Sequence, residues 1–132
     1  MNIAVTKGIK ITVIASFRSD LTRIEKGLYF FDYNIKIENL SNNRVKLISR
    51  HWRIVDSLSP TRIIDGKGVV GEQPLLEPGE VHIYSSGCDL SSGLGYMEGY
   101  YNFVTIGDNG DVLNTFMVKV PRFPLEYKGK LN

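Results

Sequence analysis

Strict alternation of apolar and polar residues is the feature that most limits what this chain can fold into. Within residues 28–39, every second position from 31 to 37 is aromatic or aliphatic, and the positions between are polar. Residues 9–18 repeat the pattern, with apolar side chains at the odd positions. Successive side chains of a β-strand point to opposite faces, so a period of two is the signature of a half-buried strand. The pattern therefore predicts a fold built on β-sheets.

Further strands follow at the spacing of a β-sandwich. The segment from Val45 to about Asp56 has mixed alternation, so it is either partly buried on both sides or carries a bulge that switches its faces. Later strands are predicted at 61–64, from Val81 to Ser86, from Tyr96 to Ile106, and from about Leu113 to Val120. About seven strands, with no 3.6-residue apolar stripe, predict an all-β, immunoglobulin-like or fibronectin type III-like two-sheet sandwich. A partly open barrel is the alternative.

The chain length predicts one domain. A typical domain has roughly 100–200 residues, and this chain has 132. We expect residues 1–132 to form that single domain, with a core over about 9–120 and a C-terminal tail over 121–132. Pro121 and Pro124 are expected to prevent regular pairing in the tail, which Phe123 and Leu125 would anchor. The polar segment 19–27 is expected to be a loop or one helical turn.

Charge and cysteine content restrict the partners and the compartment. The sequence has 16 Lys and Arg against 14 Asp and Glu, and the basic residues are scattered among the acids. This balance predicts neither nucleic acid nor a membrane as a partner. Cys88 is the only cysteine, so no internal disulfide can form. The first residues contain no apolar run of the length of a signal peptide, and no apolar stretch approaches the roughly 20 residues that span a bilayer. We therefore expect a cytoplasmic protein.

A glycine-rich segment from Gly66 to Pro74 contains the most conspicuous motif. A literal GxGxxG is formed by Gly66, Lys67, Gly68, Val69, Val70 and Gly71. In a dinucleotide site such glycines open a helix whose amides hold pyrophosphate. Here Pro74 and Pro78 follow too soon for an adequate helix. We predict an irregular loop with at least one of its valines packed beneath it, and anion binding by free loop amides is the alternative.

No constellation for catalysis or metal binding is evident. The borderline and soft metal ligands are His51, His82 and Cys88, and no pair of them has a recognised short ligand spacing. No GxSxG elbow is present, and Cys88 has no histidine beside it. We therefore expect no metal site, no cofactor and no catalytic residue.

The segment around the only tryptophan is the densest polar and aromatic cluster. It contains Arg50, His51 and Trp52. Sandwiches often bury a tryptophan in a central strand, so Trp52 is expected to be largely buried, with Arg50 on the same face and able to stack over the indole. Alternatively, the three residues form a protein-binding patch, because Trp and Arg are enriched at interface hot spots.

Tyr96 lies where immunoglobulin-like folds often place a tyrosine corner. It follows Leu90 by six residues, across the loop that enters the penultimate strand. In that motif the tyrosine hydroxyl bonds back to the preceding loop. The alternative is an ordinary residue of an amphipathic strand.

Four motifs together resemble the ApaG family. They are SRHW at 49–52, GKGVVGEQPLLEPGE at 66–80, YSSG at 84–87 and MEGYY at 97–101. Their order and spacing match that family from about residue 9 to the tail. The resemblance implies an immunoglobulin-like or fibronectin type III-like sandwich, a cytosolic bacterial protein, and a link to cobalt resistance and magnesium efflux. It also implies protein recognition, since a similar domain occurs in eukaryotic F-box proteins.

The resemblance directs the functional hypotheses. The leading one is a non-enzymatic binding or interaction module with an unknown protein partner, present as a monomer or weak homodimer. The alternative is a nucleotide- or pyrophosphate-binding protein of diadenosine polyphosphate metabolism, because the family's glycine-rich motif, proposed to hold pyrophosphate, falls on Gly66, Gly68 and Gly71. A third is a metal-responsive accessory factor.

Overall fold

A computed structural model describes residues 1–129, and β-strands make up most of this part of the chain. A single 3₁₀ turn, Ile24–Lys26, lies between the second and third strands. The strands are β1 (Asn2–Thr6), β2 (Ile9–Arg23), β3 (Leu28–Asn39), β4 (Arg44–Asp56), β5 (Ser59–Lys67), β6 (Leu75–Leu76), β7 (Val81–Leu90), β8 (Leu94–Ile106) and β9 (Val112–Glu126). Within the described residues, no helix is long and apolar enough to span a bilayer.

The strands form two antiparallel sheets. One sheet has the order β1-β2-β3-β7, and the other has the order β5-β4-β8-β9, with β6 also paired to β4. The apolar faces predicted from the alternation point into the space between the sheets, where Ile11, Tyr33 and Ile35 are buried. The predicted all-β, immunoglobulin-like two-sheet sandwich is confirmed.

Trp52 lies at the centre of this core, as predicted, with 3% of its surface exposed. Its indole makes edge contacts with the rings of Tyr33, Tyr101 and Phe123, at centroid distances of 5.9, 6.1 and 6.0 Å. Edge-to-face packing at this separation is favourable for aromatic rings. Trp52 therefore belongs to the core and to no surface patch.

A bulge explains the mixed alternation of β4. The register between β4 and β8 shifts between Leu47 and Ser49. Leu47 is buried before the shift, and Trp52 and Ile54 are buried after it, so the inward face changes from odd to even positions. The bulge thereby turns Arg50 toward the interior and His51 toward solvent.

The C-terminal segment differs from the prediction that its prolines prevent pairing. β9 runs through Pro121 and Pro124 to Glu126, and Pro124 lies opposite Tyr96 of β8. An edge strand tolerates proline, because the missing N–H removes no bond on its open side. Phe123 and Leu125 are completely buried, so the predicted anchoring is confirmed and the core continues beyond residue 120. The expected structure of residues 130–132 lies outside the described residues.

Two further features differ from the sequence-based predictions. β1 was not predicted, because five residues of weak alternation, Asn2–Thr6, resemble a loop until they pair with β2. The hydroxyl of Tyr96 accepts a hydrogen bond from Nη1 of Arg53 at 3.3 Å, across the sheet and away from the preceding loop. The tyrosine-corner hypothesis is therefore wrong, and Tyr96 is a strand residue of β8.

Candidate functional site

The glycine-rich segment is a tight hairpin turn, which we call the Gly-rich turn (residues 66–74). The N–H of Val69 donates to the carbonyl of Glu72 at 2.8 Å, and the N–H of Glu72 donates back at 3.0 Å. The two residues between them, Val70 and Gly71, have φ values of 48° and 78°. Two consecutive positive φ values are the mark of a type I′ turn. No helix follows Gly71, as predicted, but the segment is a regular turn closed by the antiparallel pair Val69–Glu72 and not the irregular loop that was expected. Two consecutive residues with positive φ allow the tight turn.

Two glycines of this turn make room for atoms of other residues. A Cβ on Gly68, whose φ is 63°, would lie 2.1 Å from the carbonyl oxygen of Glu72. A Cβ on Gly66 would lie 2.6 Å from the guanidinium carbon of Arg50. The motif therefore serves close packing between the turn, β4 and β5.

The two valines of the turn have opposite environments. Val69 is 1% exposed, which confirms that at least one valine packs beneath the turn, whereas Val70 is 61% exposed. A β-branched residue at positive φ is a strained outlier, and such strain tends to occur at functional sites. Val70 is thus a strained apolar side chain at an exposed tip.

Three amides of the turn, those of Gly68, Val69 and Glu72, are bonded within the protein. The N–H of Gly68 donates to the carbonyl of Ile48, in the bulge of β4, at 2.8 Å. Nε2 of Gln73 donates to the same carbonyl at 2.9 Å. The amides of Val69 and Glu72 bond to each other's carbonyls, so these two N–H groups and that of Gly68 are not available to hold an anion.

Arg50 lies against the turn rather than over the indole of Trp52. Its Nη1 donates to the carbonyls of Lys67 and Gly68 at 3.1 and 2.9 Å. Within residues 1–129, no carboxylate pairs with it. Arg50 is therefore a half-buried cation held by neutral carbonyl groups.

His51 points to the opposite side of β4. Its Nδ1 lies 2.6 Å from Oδ1 of Asp65, and its ring stacks on Tyr100 at a centroid distance of 4.8 Å. Arg50 and Trp52 face the interior while His51 faces solvent, because neighbouring strand residues alternate in direction. The three residues of the predicted patch are therefore not brought together on one surface.

The outer face of the sheet β5-β4-β8-β9 carries a connected group that sequence reasoning missed. Glu98 accepts from Nη1 of Arg53 at 2.8 Å and from Nε of Arg122 at 3.0 Å. The guanidinium of Arg122 also lies over the ring of Tyr96, 4.1 Å from its centroid. Burial raises the pKa of Glu98, but the hydrogen bonds from the two arginines outweigh it and the pKa is lowered. Glu98 is therefore ionised at neutral pH and pairs with both arginines.

An apolar groove of about 460 Å³ adjoins this group. Val55, Leu94 and Pro124 line it, with Tyr96 and Arg122 at one side. Leu94 is 56% exposed. The alternation of β8 alone could have indicated that Tyr96 and Glu98 lie on one face. Their contact with Arg122 depends on the pairing of β8 with β9, which the two prolines of β9 led us not to predict. We call this groove and its Arg–Tyr–Glu group the sheet-face groove.

The nucleophile and metal candidates lie apart. Cys88 is buried, and burial raises the pKa of its thiol to about 11. His82 lies 3.6 Å from the carboxylate of Glu72, and its buried Nε2 has no hydrogen-bond partner among the residues that the structure describes. Among the residues that the structure describes, no three His, Cys, Asp or Glu side chains converge on a possible metal position.

Comparison with known proteins gives consistent matches. The family model of the ApaG domain matches residues 19–105. A protein named Protein ApaG from Anaeromyxobacter dehalogenans (strain 2CP-C) is 41% identical over 132 residues, 100% of both chains. Another of that name, from Methylorubrum extorquens (strain PA1), is 41% identical over 123 residues, 93% of this chain and 91% of the relative. The crystal structure of the putative ApaA protein from Bordetella pertussis has a TM-score of 0.83 at 34% identity, and the match covers 92% of this chain and 95% of that one.

Proposed function

Since the chain belongs to the ApaG family, we propose that it is a non-enzymatic cytoplasmic module that binds another protein through the sheet-face groove. The observation that carries this proposal is the apolar groove bordered by Tyr96 and a guanidinium stacked on it. A few hot-spot residues supply most of the binding energy of a protein interface, and tyrosine, arginine and tryptophan are the types most enriched among them.

The groove is organised before any partner arrives. Glu98 holds Arg53 and Arg122 at 2.8 and 3.0 Å, so neither long side chain must be ordered on binding. Holding contact residues in their bound conformation raises affinity, because less conformational entropy is lost on association. An apolar side chain of the partner would occupy the space beside Leu94 and Pro124.

Paired substitutions on the two outer faces test the proposal. Leu94→Glu places a charge in the groove, and Ile14→Glu places the same charge on the other sheet, where Ile14 is 52% exposed. We expect affinity capture from lysate to lose specific partners with Leu94→Glu and to keep them with Ile14→Glu. Equal partner sets for both variants would refute the role of the groove. Unfolding curves check that both variants fold.

The alternative ligand is pyrophosphate or a dinucleotide at the Gly-rich turn. The charges of Arg50 and Lys67 favour it, whereas the bonded amides of Gly68, Val69 and Glu72 disfavour it. Calorimetry with pyrophosphate and with diadenosine tetraphosphate distinguishes the two functions. We expect no tight binding, and a dissociation constant near 1 μM, about −8 kcal/mol, would favour the nucleotide function instead.

A further inference from the structure

Within residues 1–129, three of the four strands at sheet edges are protected against pairing with another chain. β1 has only five residues, and Oγ1 of Thr6 accepts from the backbone of β9 at 3.2 Å. β9 contains Pro121 and Pro124, and its register with β8 shifts twice. β5 begins with Ser59 and Pro60 and ends at a lysine, Lys67. Short length, proline, bulges and lysine are the usual devices that prevent edge-to-edge association.

β7 has none of these devices. It has ten residues, Val81–Leu90, without proline, lysine or arginine. Its register with β3 is uninterrupted from the pair Glu38–Val81 to the pair Tyr29–Leu90. Ile83 is 63% exposed. An edge strand that is long, regular and partly apolar is a template for strand addition.

The hydrogen-bond alternation shows which groups of β7 are available. At its start, the N–H of Asn39 donates to the carbonyl of Glu80 at 3.0 Å, on the β3 side. Bonded and non-bonded pairs alternate along an antiparallel ladder. The backbone groups of Ile83 and Ser85 therefore point away from β3. Near the end of β7, the carbonyl of Asp89 accepts a hydrogen bond from Nη2 of Arg62, so this carbonyl is not available to an added strand.

Arg50 lies on the inner side of this open edge. It donates to the carbonyl of Lys67, the last residue of β5, and to that of Gly68 in the Gly-rich turn. Tyr101 of β8 lies opposite Arg50 of β4, and its hydroxyl lies 2.5 Å from the hydroxyl of Tyr84 on β7. The inner side of β4 at Arg50 therefore faces β7. Among the described arginines, only Arg50 and the exposed Arg23 lack a carboxylate partner. A half-buried cation without a counter-ion is a site for a carboxylate from outside.

We propose that β7 binds an extended acidic segment of another protein, which adds to the sheet as a fifth strand beside β7. Its inward side chains, glutamate or aspartate, meet Arg50, and its outward side chains, valine or isoleucine, lie beside Ile83. This surface is separate from the sheet-face groove and extends the proposed function. A second copy of the chain is a poorer occupant, because the inward residues of β7 include His82 and Tyr84 and no carboxylate for Arg50.

A synthetic peptide tests the proposal directly. The probe has nine residues in which valine alternates with glutamate, with blocked ends, and the control replaces each glutamate with glutamine. We expect calorimetry to show at least tenfold tighter binding of the glutamate peptide. Hydrogen exchange by NMR should show new protection of the Ile83 and Ser85 amides. Equal binding of the two peptides, no binding of either at millimolar concentration, or a dimer formed through β7 would overturn the proposal.

Two variants separate the backbone contribution from the charge. Ser85→Pro removes an edge N–H and should abolish binding of both peptides. Arg50→Gln should remove the preference for glutamate and leave weak binding. Leu94→Glu, which lies in the sheet-face groove, should leave the binding of both peptides to β7 unchanged. This proposal and the proposed function can therefore fail independently. If Arg50→Gln does not fold, the comparison of the two peptides on the native chain still decides the question.

Discussion

At the scale of single residues, the Gly-rich turn shows two separate reasons for a glycine. Gly68 combines a φ of 63° with a carbonyl oxygen 2.1 Å from its would-be Cβ, whereas Gly71 has a φ of 78° and open space around it. Positive φ disfavours any side chain, and a close carbonyl adds a steric penalty. The two positions therefore form a matched pair.

Gly68→Ala should destabilise the protein more than Gly71→Ala. We expect a loss of about 2–4 kcal/mol for Gly68→Ala, from strain and overlap together. Gly71→Ala should cost about 1–2 kcal/mol, from the left-handed conformation alone. Urea unfolding of both variants gives the comparison. Equal losses would mean that the oxygen of Glu72 moves aside without penalty.

Val70 should be replaceable with a gain in stability. Val70→Asn is expected to stabilise the fold by about 1 kcal/mol, because asparagine tolerates the left-handed region that valine resists. Val69→Asn is the control, and it should destabilise, because Val69 is 1% exposed and packs in the core. Thermal unfolding measures both changes. A loss of stability with Val70→Asn would show that the exposed valine packs against something in solution.

At the scale of elements, β9 demonstrates that prolines do not end a strand when they lie at a sheet edge. Phe123 is completely buried between Pro121 and Pro124 and contacts Tyr33 and Trp52. Its neighbour Arg122 points outward to the sheet-face groove. One strand thus supplies both the core and the proposed interface.

Phe123→Ala should cost roughly 3–5 kcal/mol, the usual loss for emptying a buried aromatic site. Arg122→Ala, one residue away, should cost less than about 1 kcal/mol, because it removes an exposed ion pair. Denaturant unfolding compares the two variants. A loss below about 1 kcal/mol for Phe123→Ala would contradict the placement of residues 121–126 in the core and favour the tail that the sequence predicted.

At the scale of the whole molecule, Asp56 links the end of β4 to the connection between β7 and β8. Its carboxylate accepts from the N–H and hydroxyl of Ser91, both at 2.7 Å, and from the hydroxyl of Ser92 at 2.8 Å. Burial raises the pKa of Asp56, but these hydrogen bonds outweigh it, and the pKa is lowered. Ionised Asp56 therefore stabilises the fold.

Stability should fall in acid as Asp56 takes up a proton. The unfolded chain has the higher pKa, about 3.9, so the stabilisation is complete above that pH. It is lost as the pH falls through the lower pKa of the folded state. Asp56→Asn should be less stable at pH 7, by about 1–3 kcal/mol, and should lose this part of the pH dependence. Unfolding free energies at pH 7 and pH 3 test it, and parallel pH profiles would contradict the assignment.

The sequence by itself determined the fold class and the faces of the strands. Alternation is a local property, so Phe31, Tyr33 and Ile35 could be assigned to the core before any strand was paired. Trp52 lies in a segment of mixed alternation, and its burial was expected only from the usual place of a tryptophan in a sandwich. The motifs around Gly66 likewise identified the family. The prolines after Gly71 correctly predicted that no helix follows, although the expected irregular loop is a regular turn.

Tertiary structure decided which distant residues meet. The bulge in β4 turned Arg50 inward. Arg50 lies opposite Gly66 only because β5 pairs with β4 in the sheet. The contact of Arg122 with Tyr96 and Glu98 required β9 to continue past its prolines beside β8. Strand order, register and bulges arise from packing between segments far apart in sequence, and no local pattern specifies them.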